Sequence, residues 1–181
     1  PFSVKQTKLL DAKKIREQLD ELSPQNSYDF FNENINKFLV ANRRLYDYIT
    51  NEAMEYIRTM AEGVSLTEMF VSFSGGKDST VVSDLVLRAL GNQQVLHLYG
   101  DTTLEFPESA KYVKRFKAEH PKTLVITAKN KDKNFEELCE QLGPPSRVMR
   151  WCCTIFKTGA IQRKIQTLFK NQKRILTFYG I

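Results

Sequence analysis

The densest chemistry in the chain lies in Ser74-Gly75-Gly76-Lys77-Asp78-Ser79. Glycine lacks Cβ and lets backbone N–H groups close on a ligand, lysine adds a mobile charge, and Ser74 and Ser79 offer hydroxyl donors. Met69–Phe73, just before it, is a short apolar run that reads as a buried strand. After it, Val81, Val82, Leu85, Val86 and Leu90 recur at helical spacing. The loop therefore joins a strand's carboxyl end to a helix's amino end. Unpaired N–H groups and a partial positive charge of roughly half an electron collect there. Phosphate is the anion such a place binds. A plain turn capped by Asp78 or Ser79 would need fewer of these residues. The spacing is not a Walker A loop, which has four residues between its first glycine and its Gly-Lys.

Two further stretches carry chemistry. Gly100-Asp101-Thr-Thr-Leu-Glu105-Phe-Pro107 follows a second strand, so Asp101 and Glu105 fall beside the phosphate position. Carboxylates there suit a bridging Mg²⁺. Asp101 alternatively suits a ribose hydroxyl, or an Asx turn or helix cap. The third stretch, Arg147-Val-Met-Arg150-Trp-Cys152-Cys153-Thr-Ile-Phe-Lys157, sets two arginines and a lysine around a helix start. Those cations suit a sulfate or phosphate group. Thiolates of Cys152 and Cys153 suit soft metals or an iron–sulfur cluster, which generally takes four ligands. Cys139 is the one cysteine left, and its spacing does not join it to the pair. Buried, inert thiols are the alternative.

These stretches must be positioned by something, and 181 residues allow one domain with an appendage. A hydrophobic content of 41% with 27% charged residues excludes a disordered chain. No apolar run reaches the roughly 18 residues of a membrane span, and the start has no signal-peptide core. Three cysteines, two of them adjacent, make no disulfide framework and favour a reducing, cytoplasmic home. The leading proline and the end at Tyr179-Gly180-Ile181 read as a piece of a longer protein. The formal charge of +6 belongs to the second part of the chain. From Gln141 onward Arg147, Arg150, Lys157, Arg163, Lys164, Lys170, Lys173 and Arg174 stand without a single acid. Such a segment attracts nucleotide phosphates or polyanions, or is simply a solvated helix face.

Periodicity predicts a helix over residues 7–22 and one long helix from Tyr28 to about Ala61, together a helical extension over residues 1–66. Over residues 67–181 four strands (Met69–Phe73, Val95–Tyr99, Thr123–Thr127, Ile175–Tyr179) alternate with helices at Val81–Leu90, Glu108–Glu119, Phe135–Leu142 and Thr154–Phe169. That alternation predicts an α/β fold, a doubly wound, mostly parallel sheet with helices on both faces. Ligands gather at the carboxyl ends of such strands, where the strand order reverses. The glycine loop, the Asp101–Glu105 loop and the start of the last helix are expected to converge there.

The stretches Ser74–Ser79, Gly100–Glu108 and Arg150–Lys157, in this order, resemble the phosphoadenosine phosphosulfate (PAPS) reductase family within the PP-loop ATP pyrophosphatase superfamily. The resemblance spans residues 69–181 and omits the N-terminal helices. It implies an adenine-nucleotide-binding sheet and chemistry tied to sulfur. Ser74, Gly75, Gly76, Lys77, Ser79, Arg150 and Lys157 would bind the nucleotide and its phosphates. Lys77, Asp78 and Asp101 would be catalytic, with Asp101 and Glu105 near Mg²⁺. Cys152 and Cys153 resemble the tandem cysteines that help hold a [4Fe–4S] cluster in some members. Dedicated sulfonucleotide reductases usually have a degenerate loop and a catalytic cysteine near the C-terminus. The intact loop here favours cleavage of ATP to AMP and pyrophosphate, as in nucleic-acid thiolation or DNA phosphorothioation. A sulfonucleotide reductase, and a nucleotide- or nucleic-acid-binding subunit without turnover, are the other readings. A nucleic-acid acceptor, a sulfur- or electron-donor protein and a homodimer through the long helix are the expected partners; a membrane is not.

Overall fold

The computed structural model describes residue 17 and residues 28–180. The expected helix over residues 7–22 lies outside them except at residue 17, which is helical. The chain divides into two units, residues 1–49 and residues 50–181, and the division falls inside a helix.

The expected single helix from Tyr28 to Ala61 is two, α1 (Tyr28–Ala41) and α2 (Arg43–Ala61). Residue 42 separates them, although the hydrogen-bond ladder runs on across it, Tyr46 N donating to Asn42 O at 2.9 Å. The Asn42 backbone N–H and side-chain Nδ2 both donate to Phe38 O, at 3.0 and 2.9 Å. Asn34 makes the same side-chain bond to Phe30 O within α1, so the apolar periodicity that continues through residue 42 reflects a nearly continuous helix.

In the second unit, a 3₁₀ turn (Leu66–Glu68) leads into β1 (Met69–Phe73), α3 (Lys77–Leu90), β2 (Leu96–Asp101), α4 (Pro107–Glu119), β3 (Val125–Lys129) and α5 (Phe135–Leu142). A π-helical segment (Cys153–Thr158), α6 (Gly159–Leu168) and β4 (Leu176–Phe178) follow. The four strands form one sheet in the order β3-β2-β1-β4, every pair parallel. Their side chains alternate between two covered faces, as parallel sheets require. Met69, Val71 and Phe178 pack with Val86, Leu87 and Ile57 of α3 and α2. Phe73 and Tyr99 continue that face onto Val113 and Phe116 of α4. On the opposite face Phe70, Leu98 and Ala128 meet Ile161, Ile165 and Phe169. β1 is buried from both sides, and each of its large side chains contributes about 1.5–3 kcal/mol.

The third strand starts two residues later than its composition predicts. Thr123 is β-branched, but its N–H still closes the turn after α4 on His120 O at 3.0 Å. The strand instead runs on to Lys129, which places Lys129 opposite Asp101 in the register.

His97 is fully buried at the middle of the sheet. Its Nδ1 lies 2.9 Å from Val95 O, which can only accept, so Nδ1 carries the proton and Nε2 accepts from Ser83 Oγ at 2.7 Å. Burial holds the imidazole below its ordinary 6.5, and nearby His120 adds to the shift while the Val95 carbonyl opposes it. The folded ring is thus neutral where the unfolded one, at about pH 6.5, takes up a proton. The stability it confers is complete above that pH and is lost as pH falls toward the depressed folded value. The urea midpoint is expected to decrease between pH 7.5 and 5.5, and less so in His97→Gln. A flat profile for the unsubstituted chain would contradict this assignment.

Candidate functional site

In the order β3-β2-β1-β4 the direction of winding reverses between β1 and β4, so the loop after β1 occupies the switch point. Gly76 is the N-cap of α3, with φ −82° and ψ 168°, and no side chain caps the helix. The N–H groups of Lys77, Asp78 and Ser79 consequently lie in a first turn without intrahelical acceptors. Asp78 and Ser79 are not caps. Ser79 instead closes the loop from inside: its Oγ accepts from Ser74 N at 3.2 Å and Ser74 Oγ at 3.1 Å, and donates to Gly76 O at 3.0 Å. Ser79 is buried, so its hydroxyl shapes the cradle, whereas Ser74 is exposed beside it.

The cradle is held from two sides. Thr80 Oγ1 donates to Gly76 O at 2.9 Å, which leaves the Tyr112 hydroxyl of α4 to donate to Thr80 Oγ1 at 3.0 Å. Val113 presses on Gly75, where an added Cβ would lie 2.7 Å from Val113 Cγ2. On the other side Gly180 lies so close that its Cβ would stand 3.1 Å from Asp78. Lys77 Nζ folds onto Asp78 Oδ1 at 2.7 Å, both side chains largely exposed. An exposed pair of this kind is worth only about 0–1 kcal/mol, so an arriving anion frees the lysine at little cost.

Asp101 makes the Asx turn that was one of its sequence alternatives. Its Oδ1 accepts from Thr103 N at 2.9 Å, Thr103 has φ 65°, and Oδ2 pairs with Lys129 Nζ at 3.4 Å. Glu105 Oε1 accepts from Thr102 Oγ1 at 2.8 Å, leaving its second oxygen without a partner among the described residues. Burial, then the charges of Glu105 and Asp101, hold the Tyr99 phenol above its ordinary 10.0. Both Asp101 oxygens are engaged, so a cation held by the two carboxylates would have to take the place of Lys129 at Oδ2.

The third stretch begins its helix earlier than expected. Residues 151 and 152 are already helical, and Cys153–Thr158 widens to a π-helix before α6. Thr158 Oγ1 donates to Cys153 O at 2.8 Å, and Gly159 approaches Thr154 O so closely that a Cβ would stand 2.6 Å from it. π-segments of this kind often mark functional sites. Here it turns Cys152, Cys153 and Lys157 toward the Asp101 loop, and with Thr102, Leu104, Phe135 and Phe156 they line one cavity of about 160 Å³. That volume is below the roughly 300–1,000 Å³ of small-molecule clefts, and Lys157 is the one charged residue of a largely apolar lining. Arg150 reaches Cys153 Sγ at 3.6 Å. Gly159→Ala is expected to collapse the π-segment, and reaction of Cys152 and Cys153 with a neutral thiol reagent would then change by more than about threefold. Unchanged thiol reactivity in a folded Gly159→Ala protein would contradict the role given to the glycine.

Two of the three stretches thus meet in one cavity, and the glycine loop lies one strand over at the end of β1. Sequence reasoning missed Thr102, Leu104, Phe135 and Phe156 as cavity walls and Tyr112 as the brace of the loop. Cys139 packs in one hydrophobic cluster with Cys152, Trp151 and Phe156, which its spacing did not show. No group of three or more His, Cys, Asp or Glu side chains placed to hold a metal stands among the described residues. The chain's three cysteines are one short of a [4Fe–4S] ligand set. These residues alone do not fit the cluster, and no step is derived through it.

A parallel four-stranded sheet with helices on both faces and an uncapped helix start at its switch point defines the class: a doubly wound α/β domain. The phosphoadenosine phosphosulfate reductase domain model matches residues 68–181, and the chain belongs to that family. Among curated proteins it is similar to the uncharacterized protein MJ0066 of Methanocaldococcus jannaschii, 30% identical over 162 residues, covering 90% of this chain and 32% of that one. The uncharacterized protein MJ0973 of the same organism is 29% identical over 150 residues, covering 82% of this chain and 34% of its own length. The chain therefore spans about a third of the length of these relatives. Among solved structures it is similar to the PAPS reductase of Candida auris in a phosphate complex, with a TM-score of 0.43, 14% identity and coverage of 64% of this chain and 62% of that one. No helix among the described residues is long and apolar enough to cross a membrane.

Proposed function

We propose that this domain binds ATP at the Ser74–Ser79 loop and cleaves it between the α- and β-phosphates, activating an acceptor for sulfur transfer. The observation that carries the reading is the uncapped start of α3 at the switch point, with Lys77 free to leave Asp78. An acceptor oxygen attacks the α-phosphorus, the bond to the bridging oxygen breaks, and pyrophosphate leaves with that electron pair. The acceptor is left as an adenylate that a sulfur nucleophile displaces as AMP. Lys77 and the first-turn N–H groups of α3 stabilise the charge gathering on the departing pyrophosphate. Mg²⁺ carried with ATP offsets phosphate charge, and Asp101 and Glu105 are the residues that would hold it.

One observation favours a second reading. Cys152, Cys153 and Lys157 line one cavity, and thiols beside a cation are groups that reduction of a sulfonucleotide would use. The readings part on nucleotide preference. Calorimetric titration with α,β-methylene-ATP and with PAPS is expected to show at least tenfold tighter binding of the ATP analogue in the presence of Mg²⁺. The reverse order would promote the reductase reading. Binding of ATP with no turnover under any acceptor would leave a nucleotide-binding subunit.

A further inference from the structure

We propose that the cleft between the edge strand β3 and α6 is a second phosphate-binding surface, which takes the backbone of a single-stranded nucleic acid. This rests on the activity proposed above, for which the strand would be the acceptor. The cleft has a volume of about 420 Å³, and Lys129, Lys131, Arg163 and Lys164 line it against Asp132. Within α6 the helical period separates two faces. Ile161 and Ile165 turn inward onto Phe70, Leu98 and Ala128, while Ala160, Arg163, Lys164 and Thr167, at spacings of three and four, line the cleft.

Lysines on an edge strand can serve merely to prevent pairing with another sheet. That accounts for Lys129 and Lys131 but not for Arg163 and Lys164, which arrive from a helix. Lys131, Arg163 and Lys164 form no ion pair among the described residues. Gathering unpaired cations around one hollow is unfavourable until an anion joins them. An adjoining hollow of about 220 Å³ shares Lys129, Lys131 and Asp132 and adds Lys133 and Thr103. Its Glu137 is occupied by Asn134, whose N and Nδ2 both reach it at 3.0 Å. Thr103 Oγ1 in turn accepts from Phe135 N at 3.0 Å, and Phe135 is a wall of the cysteine cavity. Cationic lining thus runs from α6 along the end of β3 to the candidate site. A narrow cationic track of this kind suits one strand's backbone, which such grooves hold with little regard to sequence.

The test is fluorescence anisotropy of a labelled twelve-nucleotide deoxythymidine strand titrated with the chain over a salt series. For single strands log K falls with log salt by roughly 0.7 per phosphate neutralised. The combined substitution Lys131→Gln, Arg163→Gln, Lys164→Gln is therefore expected to reduce the slope by about 2 and affinity at low salt by at least about tenfold. Lys170→Gln with Lys173→Gln is expected to change either by much less. Unchanged affinity and slope in the triple variant, or loss in the Lys170/Lys173 variant instead, would overturn the proposal. Displacement of the strand by an equal concentration of tripolyphosphate would overturn it in favour of a free-anion site. Lys77→Ala is expected to bind the strand as the unsubstituted chain does. Salt-dependent binding through the cleft without AMP formation would sink the ATP reading and leave the cleft; AMP formation with an unaffected triple variant would do the opposite.

Discussion

Lys77→Ala is expected to lower AMP release from ATP by about 10²–10³-fold while changing folding stability by less than about 0.5 kcal/mol. The two effects separate because of where the lysine sits. Its side chain is 88% exposed and, among the described residues, its ammonium pairs only with the neighbouring Asp78, so its removal opens no cavity and strands no buried partner. In a bound polyphosphate the same ammonium faces charge that grows as pyrophosphate departs, which is where a fixed cation has most effect. Single-turnover rates alongside urea unfolding check both halves. A fall in activity matched by a fall in stability would mean that the lysine holds the loop together rather than acting on phosphate.

The second large effect belongs to Gly75. With φ +75° it occupies the left-handed region, and a Cβ would be driven to 2.7 Å from Val113 Cγ2. The conformation costs roughly 1–2 kcal/mol for a residue with a side chain, and the overpacking about 1–3 kcal/mol more. Gly75→Ala is therefore expected to lose about 2–5 kcal/mol of stability, or to shift the loop off its bracing contact with α4. The pair Gly75→Ala, Val113→Ala discriminates between the two penalties. It removes the collision and keeps the strain, so the double variant is expected to be less destabilised than the sum of the single ones. Strict additivity in a double-mutant cycle would show that the Val113 contact is not what restricts position 75.

What the sequence disclosed follows from which forces are periodic. Alternating strands and helices gave the parallel sheet, and the glycine loop was legible because strand, turn and helix each carry a strong local pattern. Asp101 was legible as a residue at the end of the second strand with an Asx turn among its alternatives, but which alternative it takes was not, because a turn to Thr103 depends on backbone angles that composition does not reveal. Local bonds that cut across periodicity were invisible. The short interruption at residue 42 falls in a helix whose apolar face continues through it, and Thr123 reads as strand while its N–H is held in a turn. The π-segment depends on the Thr158 hydroxyl bond and the bare Cα of Gly159, neither of which leaves a repeat. Phe135 and Phe156 could not be placed beside Cys152 because they meet only through packing. The expected extent of the N-terminal extension, residues 1–66, differs from the described unit boundary at residue 49, and α2 runs across that boundary.

The central claim is that the loop at the start of α3 directs cleavage to the α–β bond of ATP. It is tested most directly by incubating the protein with Mg²⁺ and ATP labelled either at the α- or at the γ-phosphorus, in the presence and absence of a single-stranded nucleic acid. The account predicts labelled AMP from the first, labelled pyrophosphate from the second, and loss of both in Lys77→Ala. Labelled ADP with free phosphate, or AMP formation that survives the loss of Lys77, would contradict it.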